Sequence, residues 1–140
     1  MGTRADFYVG RGEKAEWLGS IAWDGYPDGL PRILKYSIQS EEDFRMRVAQ
    51  ELSTRGDATF PDMGWPWPWN DSRTTDYAYA FDEGGVWASS FGGKWFNPLL
   101  KEPEDGEEKV AIFPDMTGIK NVNLGKRSGI IIVGPKGVEN

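Results

Sequence analysis

Residues 65 to 69 read WPWPW, and this segment restricts the fold more than any other stretch of the chain. Proline has no backbone N–H to offer to a hydrogen-bond ladder, so Pro66 and Pro68 exclude a helix and disfavour a central strand. We therefore predict an extended loop over residues 60 to 76. The tryptophans of such a loop cannot all point the same way, so one indole ring should cover the core and another should face solvent.

This loop has two interpretations. It is either a lid that seals one end of a small core or a binding surface, because loops often carry function and exposed tryptophans dominate the energetics of interfaces. The candidate binding residues in the loop are Trp65, Trp67 and Trp69.

Alternating apolar and polar residues predict two β-hairpins. The first joins residues 4 to 10 with residues 16 to 23 through the turn GRGEKA, and its second strand should place Trp17, Gly19, Ile21 and Trp23 on one face. The second hairpin spans residues 76 to 91 and reverses at the turn DEGG. Its small residues, which include Ala78 and Ala80, indicate a face that a bulky group approaches closely.

One helix has a clear signature over residues 40 to 55. Ser40 and Asp43 resemble a capping box, and Phe44, Val48 and Leu52 follow at helical spacing to form an apolar stripe. A shorter helix is predicted to begin near Pro31, because proline is accepted in a first helical turn.

Further strands are predicted at residues 92 to 96, 109 to 113 and 129 to 134, which read GGKWF, KVAIF and GIIIVG. These patterns together predict one α+β domain over residues 1 to 140, with an antiparallel sheet of about five strands and one principal amphipathic helix packed on a face.

The chain contains no cysteine and no histidine. It therefore cannot form disulfides, Cys/His zinc sites, or nucleophiles that depend on cysteine or on a histidine base. The net charge of −6 has the wrong sign for gripping a phosphate backbone, so we predict no direct binding of nucleic acid. No cofactor, no metal site and no membrane contact are predicted, and without a secretory signal we expect the protein in the cytoplasm.

The sequence AWDGYPDGL, at residues 22 to 30, is either a simple chain reversal or a binding site. Turn formation accounts for every residue of it except Tyr26. If the segment is a site, the ring of Tyr26 and the nearby Arg4 should form it together with Asp24 and Asp28.

The opening MGTR, followed by the segment WDGYPDGL after the second predicted strand, resembles a group of small, mostly uncharacterised phage and prophage proteins. The similarity covers about the first 30 residues. It implies an origin in a mobile element and residence in a bacterial cytoplasm, and it implies no particular chemistry.

Three functional hypotheses follow. The first is a non-enzymatic binding protein that inhibits or sequesters a host protein, most sharply an anti-defence inhibitor of the anti-CRISPR kind, whose negative charge mimics nucleic acid. The second is a sponge for a small nucleotide signal, with Arg4, Arg11 or Arg32 on phosphate and Tyr26 or a loop tryptophan stacked on the base. The third is a Mg²⁺-dependent enzyme whose ligands are drawn from Asp24, Asp28, Asp62, Asp71 and Asp115. Homo-oligomers are also compatible with exposed aromatics and sheet edges.

Overall fold

The computed structural model describes residues 2–34, 38–98 and 111–116. The strands are β1 (Ala5–Val9), β2 (Glu16–Ile21), β3 (Ala58–Thr59), β4 (Tyr77–Asp82) and β5 (Gly85–Ser90). The helices are α1 (Pro31–Leu34) and α2 (Glu41–Ser53), with single 3-10 turns at Pro27–Gly29, Pro61–Met63 and Ser72–Thr74. None of the helices in this described part is long and apolar enough to cross a membrane.

The five strands form one mixed sheet in the order β3-β2-β1-β4-β5. The two predicted hairpins are confirmed as the antiparallel pairs β1–β2 and β4–β5. The predicted α+β fold with a five-stranded sheet is confirmed, and the sheet is antiparallel in three of its four pairings; the hairpins meet through a parallel pairing of β1 with β4, which the sequence did not predict. Because β2 runs back along β1, it ends at the end of the sheet where β4 begins, and residues 22 to 76 join the two strands.

A β-bulge in the first hairpin changes which face its tryptophan uses. Phe7 is opposite Gly19, but Tyr8 is opposite Trp17, so one extra residue is accommodated in β2. Trp17 therefore lies on the opposite side of the sheet from Ile21. The prediction that these two side chains share a face is wrong, because strict alternation does not continue through a bulge.

Each face of the sheet has its own buried cluster. The first cluster joins Phe7, Ile21 and Phe81 of the strands to the buried stripe of α2, and the rings of Phe44 and Phe81 lie 5.8 Å apart. The second cluster joins the other side of the strands to the tryptophan loop, which is residues 60 to 76, and to residues 111 to 116. Its buried members are Tyr8, Trp17, Trp65, Ala78, Ala80, Ala111, Phe113 and Met116.

The helix α2 begins as the sequence predicts. The hydroxyl of Ser40 accepts a hydrogen bond from the backbone N–H of Asp43 at 3.1 Å, which satisfies one of the free donors at the helix start. Phe44, Val48 and Leu52 are its buried residues, so the predicted apolar stripe is confirmed.

The remaining predicted strands have different outcomes. Within residues 92 to 96, Phe96 forms an antiparallel bridge with Ala88 rather than a full strand. Of the strand predicted at residues 109 to 113, residues 111 to 113 contribute Ala111 and Phe113 to the second cluster and have no strand assignment. Residues 109 and 110 of that strand and the segment at residues 129 to 134 lie outside the described residues. The strand β3 was not predicted, because its two residues are too few to form a recognisable pattern.

Candidate functional site

Asp6 lies at the centre of β1 and is fully buried. Its carboxylate accepts hydrogen bonds from the Ser20 hydroxyl at 2.5 Å, the Ser72 hydroxyl at 2.6 Å and the Trp67 indole N–H at 2.7 Å. These three donors come from β2 and from the tryptophan loop, and all of them are neutral. The carboxylate is thus held by directed hydrogen bonds alone, and it ties the loop to the sheet.

The groups around Asp6 are themselves satisfied. Because the Ser72 hydroxyl donates to Asp6, it accepts from the hydroxyl of Tyr8, which lies 2.7 Å away. The Ser20 hydroxyl in turn accepts from the indole N–H of Trp17 at 3.0 Å. The result is a connected polar network inside the second cluster, which rigidifies the position of every member.

Burial determines how these groups titrate. It raises the pKa of Asp6, and hydrogen bonds from four side chains act in the opposite direction, those of Ser20, Ser72, Trp67 and Thr75. Burial, helped by the nearby charge of Asp6, also raises the pKa of Tyr8. Solvent does not reach the Asp6 carboxylate, so in this structure the network can position the loop but cannot meet a substrate.

The tryptophan loop is a lid over the second cluster. Trp65 is buried and its ring meets that of Trp17 edge-on at 5.1 Å. Trp67 and Trp69 are half-buried and stacked at 5.7 Å. The prediction that one of the three rings faces solvent is wrong, because each indole N–H has a partner inside the fold: the Trp69 carbonyl, the Asp6 carboxylate and the Thr75 hydroxyl.

Arg4 lies against the outer side of this lid. Its guanidinium carbon is 5.2 Å from the centre of the Trp69 ring and 5.9 Å from that of Trp67, within the range of cation–π contacts. Its backbone N–H and its Nε both donate to Asp76, at 2.9 and 3.3 Å. The structure therefore brings Arg4 together with two of the predicted loop tryptophans.

The segment at residues 22 to 30 packs beside the start of β1. The N–H of Gly25 donates to the Thr3 carbonyl at 2.8 Å, and the Gly25 carbonyl accepts from the Tyr79 hydroxyl at 2.6 Å. A side chain at position 25 would come within 2.7 Å of the Ala5 Cβ, so only glycine fits. With its backbone fixed in this way, the segment leaves the ring of Tyr26 41% exposed, outside the core.

Trp23 is also exposed, and sequence reasoning did not single it out as a binding residue. Its side chain is 56% exposed while its backbone is held firmly, since the Asp57 carboxylate accepts from the N–H groups of Ala22 and Trp23. Burial alone would raise the pKa of Asp57, but the ion pair with Arg55 and these backbone donors outweigh burial and lower it. The sequence feature that could have indicated its exposure is its position at the end of a predicted strand, directly before a turn.

At the end of the sheet where β1 and β4 begin and β2 ends, Arg4 lies against Trp67 and Trp69, while Trp23 and Tyr26 flank Gly25, whose N–H bonds to Thr3. We call this region the arginine–aromatic surface, and it consists of Arg4, Trp23, Tyr26, Trp67 and Trp69. Of the other predicted site residues, Trp65 is inside the core, and Asp24 and Asp28 are exposed in the adjoining turn.

Carboxylates do not assemble at that turn. Asp71 is engaged by the Arg73 guanidinium at 2.8 Å. Among the residues that the structure describes, no three acidic side chains come together in a way that could hold a metal ion.

Comparison with models of protein families, with curated proteins and with solved structures finds no match to this chain.

Proposed function

We propose that this chain is a non-enzymatic binding protein that docks on a partner protein through the arginine–aromatic surface. The observation that carries the proposal is the exposure of Trp23 and Tyr26 at the same end of the sheet where Arg4 is held against two tryptophan rings. Tryptophan, tyrosine and arginine are the residues that most often dominate the binding energy of protein interfaces.

The surface is organised before any partner arrives. Hydrogen bonds to Asp57 fix the backbone of Trp23, and the contact with Thr3 fixes the turn that carries Tyr26. A backbone that is already fixed loses little conformational entropy on binding, so more of the contact energy appears as affinity. This preorganisation favours recognition over an incidental exposure of aromatic rings.

A protein partner suits this surface better than a small nucleotide does. Asp76 accepts two hydrogen bonds from Arg4, and its carboxylate would repel a phosphate brought to the same guanidinium. Small ligands also prefer concave sites that enclose them. A cleft of about 230 Å³ does exist, but it is formed by other residues, near the turn between β4 and β5.

The charge of the chain indicates what kind of partner to expect. With a net charge of −6, the protein is attracted to basic surfaces and repelled by acidic ones. This supports a basic host protein as the partner, and inhibition or sequestration as the outcome, of which an anti-defence inhibitor of the anti-CRISPR kind is the sharpest form.

The test is affinity capture from a bacterial host lysate with the wild-type chain and with the variants Trp23→Ala and Tyr26→Ala. We expect the wild type to retain a basic protein, and each variant to bind that purified protein about tenfold more weakly or worse. Met46→Ala is the matched control, because Met46 is 52% exposed on α2, away from this surface.

Equal capture by all four proteins would overturn the proposal. So would release of an ultraviolet-absorbing nucleotide from the heat-denatured wild type, since that result would favour the nucleotide sponge. Circular dichroism of each variant checks that the fold is retained.

A further inference from the structure

The buried carboxyl group of Asp6 is a titratable group to which the proposed function gives no role. It is fully buried, and the side chains of the described residues that act on it are all neutral: the hydroxyls of Ser20, Ser72 and Thr75 and the indole N–H of Trp67. An ionised carboxylate surrounded by neutral groups is costly to keep away from water. The interior therefore favours the protonated form of Asp6.

The hydrogen-bond network can hold the protonated form without rearrangement. The Asp6 Oδ2 lies 2.6 Å from the Ser72 hydroxyl, which lies 2.7 Å from the hydroxyl of Tyr8. Either hydroxyl of that second pair can be the donor. A protonated Asp6 donates to Ser72, and Ser72 then donates to Tyr8, so all three oxygen atoms keep a partner. The closed arrangement thus provides hydrogen bonds for both protonation states, and burial of the charge penalises the ionised one.

The tryptophan loop is joined to β1 through this same carboxyl group. Trp67 and Ser72 both lie in the loop, and both donate to Asp6. The part of the loop around Trp67 is braced internally, because the indole N–H of Trp65 donates to the Trp69 carbonyl at 2.6 Å and the rings of Trp67 and Trp69 stack. A segment that is braced in this way can move as a unit when its bonds to the sheet weaken.

Fixed points at its two ends limit where the loop can move. Near its start, the turn Pro61–Met63 leads into Gly64, whose φ of 90° is a conformation that glycine adopts freely. At its end, Asp76 accepts hydrogen bonds from the backbone N–H and the Nε of Arg4. We therefore expect motion of residues 65 to 75 while β4 keeps its place in the sheet.

The charged groups on the surrounding elements are paired, or are neutral where Asp6 titrates. On β1, burial and the charge of Asp6 raise the pKa of Tyr8, so its hydroxyl stays protonated. In the loop, Asp71 is paired with Arg73 at 2.8 Å, and Asp115 acts on that same arginine. The residues that β2 and β4 place opposite Asp6 carry no ionisable group: Ser20 and Ala78.

We infer that the tryptophan loop is a pH-sensitive lid, which is closed over the sheet while Asp6 is protonated and opens when this carboxyl group loses its proton to water. An open lid lets water reach the charge, and it uncovers Trp17 and the small side chains of Ala78 and Ala80 on the sheet. The inference does not depend on the proposed function, because it concerns the buried side of the loop.

Proton linkage gives the expected pH dependence of opening. While the lid is closed, burial raises the pKa of Asp6 above the ordinary 3.8, and in the open state water brings it back toward that value. The stability of the closed lid is therefore complete below 3.8 and is lost as the pH rises through the pKa of the closed state. Over that interval the opening constant increases by up to about tenfold per pH unit, and above it the opening constant levels off.

The test is hydrogen exchange of the tryptophan indole N–H groups in the wild-type chain, followed by NMR as a function of pH. Trp67 reports on the lid, because its N–H bonds to Asp6. Trp87 is the control, because its N–H donates to the Asp82 carbonyl at 3.0 Å, away from the lid. The ratio of the two rates removes the intrinsic pH dependence of exchange, which both indoles share. We expect this ratio to rise by up to about tenfold per pH unit and then to level off.

A ratio that stays constant with pH would overturn the inference, since it means that the lid does not open separately from the rest of the fold. Asp6→Asn keeps a neutral hydrogen-bonding group under the lid but removes the titration, so the ratio should be constant in this variant. A variant that repeats the wild-type profile assigns the effect to Asp71 or Asp115 and also refutes the inference. If Asp6→Asn does not fold, the wild type still decides, because the NMR titration midpoint of the Asp6 carboxyl carbon has to coincide with the pH at which the ratio levels off.

Thiol labelling gives a second measurement, because the chain has no cysteine. Ala78→Cys and Ala88→Cys each place one thiol at a buried position, the first in the cluster under the lid and the second in the cluster on the other face of the sheet. We expect alkylation at position 78 to accelerate relative to position 88 as the pH rises, and this difference to disappear when Asp6→Asn is added. Equal rates at the two positions at every pH would show global unfolding in place of lid opening.

Discussion

Asp6 places an ionisable carboxyl group in the fully buried interior, where its hydrogen-bond donors are all neutral. A carboxylate buried among neutral groups carries a large desolvation penalty, and here hydrogen bonds from neutral donors offset part of it. Those bonds come from two separate segments, so they can all form only when the tryptophan loop lies on β1 and β2 in one arrangement. The buried charge therefore selects the position of the loop.

The first prediction concerns the removal of this acceptor. Asp6→Ala leaves the indole N–H of Trp67 and two hydroxyls without their partner in the core, and should cost about 3 to 5 kcal/mol in the free energy of unfolding. Urea denaturation measures this cost. Asp28→Ala, an exposed aspartate, is the control and should change stability by less than about 0.5 kcal/mol. Equal stability of the two variants would show that the network contributes nothing.

The second prediction uses two aspartates whose pKa values move in opposite directions. The folded-state pKa of Asp6 lies above the ordinary 3.8, so the stability linked to its protonation is full below 3.8 and is lost as the pH rises through the folded-state pKa. The folded-state pKa of Asp57 is lowered, so its contribution is present above 3.8 and is lost as the pH falls through the folded-state pKa.

Urea denaturation across the acidic range tests both signs. Relative to wild type, Asp6→Asn should become more stable as the pH rises, and Asp57→Asn should become less stable. Parallel pH profiles for the three proteins would contradict both assignments.

Among the elements, two tight turns have the same backbone geometry but carry different kinds of residue: one lies between β4 and β5, and the other directly follows β5. The turn at Glu83 and Gly84 joins the hairpin strands with φ values of 50° and 77°. The turn at Phe91 and Gly92 has the same pattern but places a large apolar ring where a polar residue is favoured.

The third prediction follows from the positive φ of Phe91, which is strained for a large aromatic residue. Asparagine tolerates this backbone conformation, and Phe91→Asn gives up only the minor buried part of an exposed ring, so the variant should raise the free energy of unfolding by about 1 kcal/mol. Thermal unfolding measures the gain. Glu83→Asn is the companion variant, since it relieves a similar conformation without removing an exposed ring. A loss of stability in Phe91→Asn would mean that the ring is packed after all.

Local patterns allowed α2 and both hairpins to be predicted, because capping, periodicity and turn residues act over a few positions. The bulge opposite Phe7 and the parallel pairing of β1 with β4 could not be predicted, since neither leaves a local pattern. For the same reason the sequence could identify Arg4 and Tyr26 as candidates but could not show that Arg4 lies on Trp67 and Trp69. The exposure expected for a loop tryptophan was wrong because Asp6, distant in sequence, accepts the Trp67 N–H.

In the part of the chain that the structure describes, the two faces of the sheet carry unlike buried clusters. One cluster includes the buried stripe of the regular helix α2, and the other includes the irregular tryptophan loop, held by side-chain hydrogen bonds. The fourth prediction is that native-state hydrogen exchange is slowest in the central strands β1 and β4, which are paired on both sides. The two-residue edge strand β3 should exchange fastest. Uniform protection across the sheet would show that the two clusters open as one unit.

The central parallel pair also affects how the chain can fold while it is being made. Arg4 and Asp76, which meet at the start of β1 and β4, are 72 residues apart in sequence. A hairpin forms in about 1 to 10 μs, whereas ribosomes add about 5 to 20 residues per second, so β1 and β2 can pair long before β4 leaves the ribosome. For a time on the order of seconds, the inner edge of β1 is an open template for other strands. The charge that Asp6 carries on β1 at this stage disfavours such pairing. Asp6 enters the core only when Trp67 and Ser72 have been made and can donate hydrogen bonds to its carboxylate.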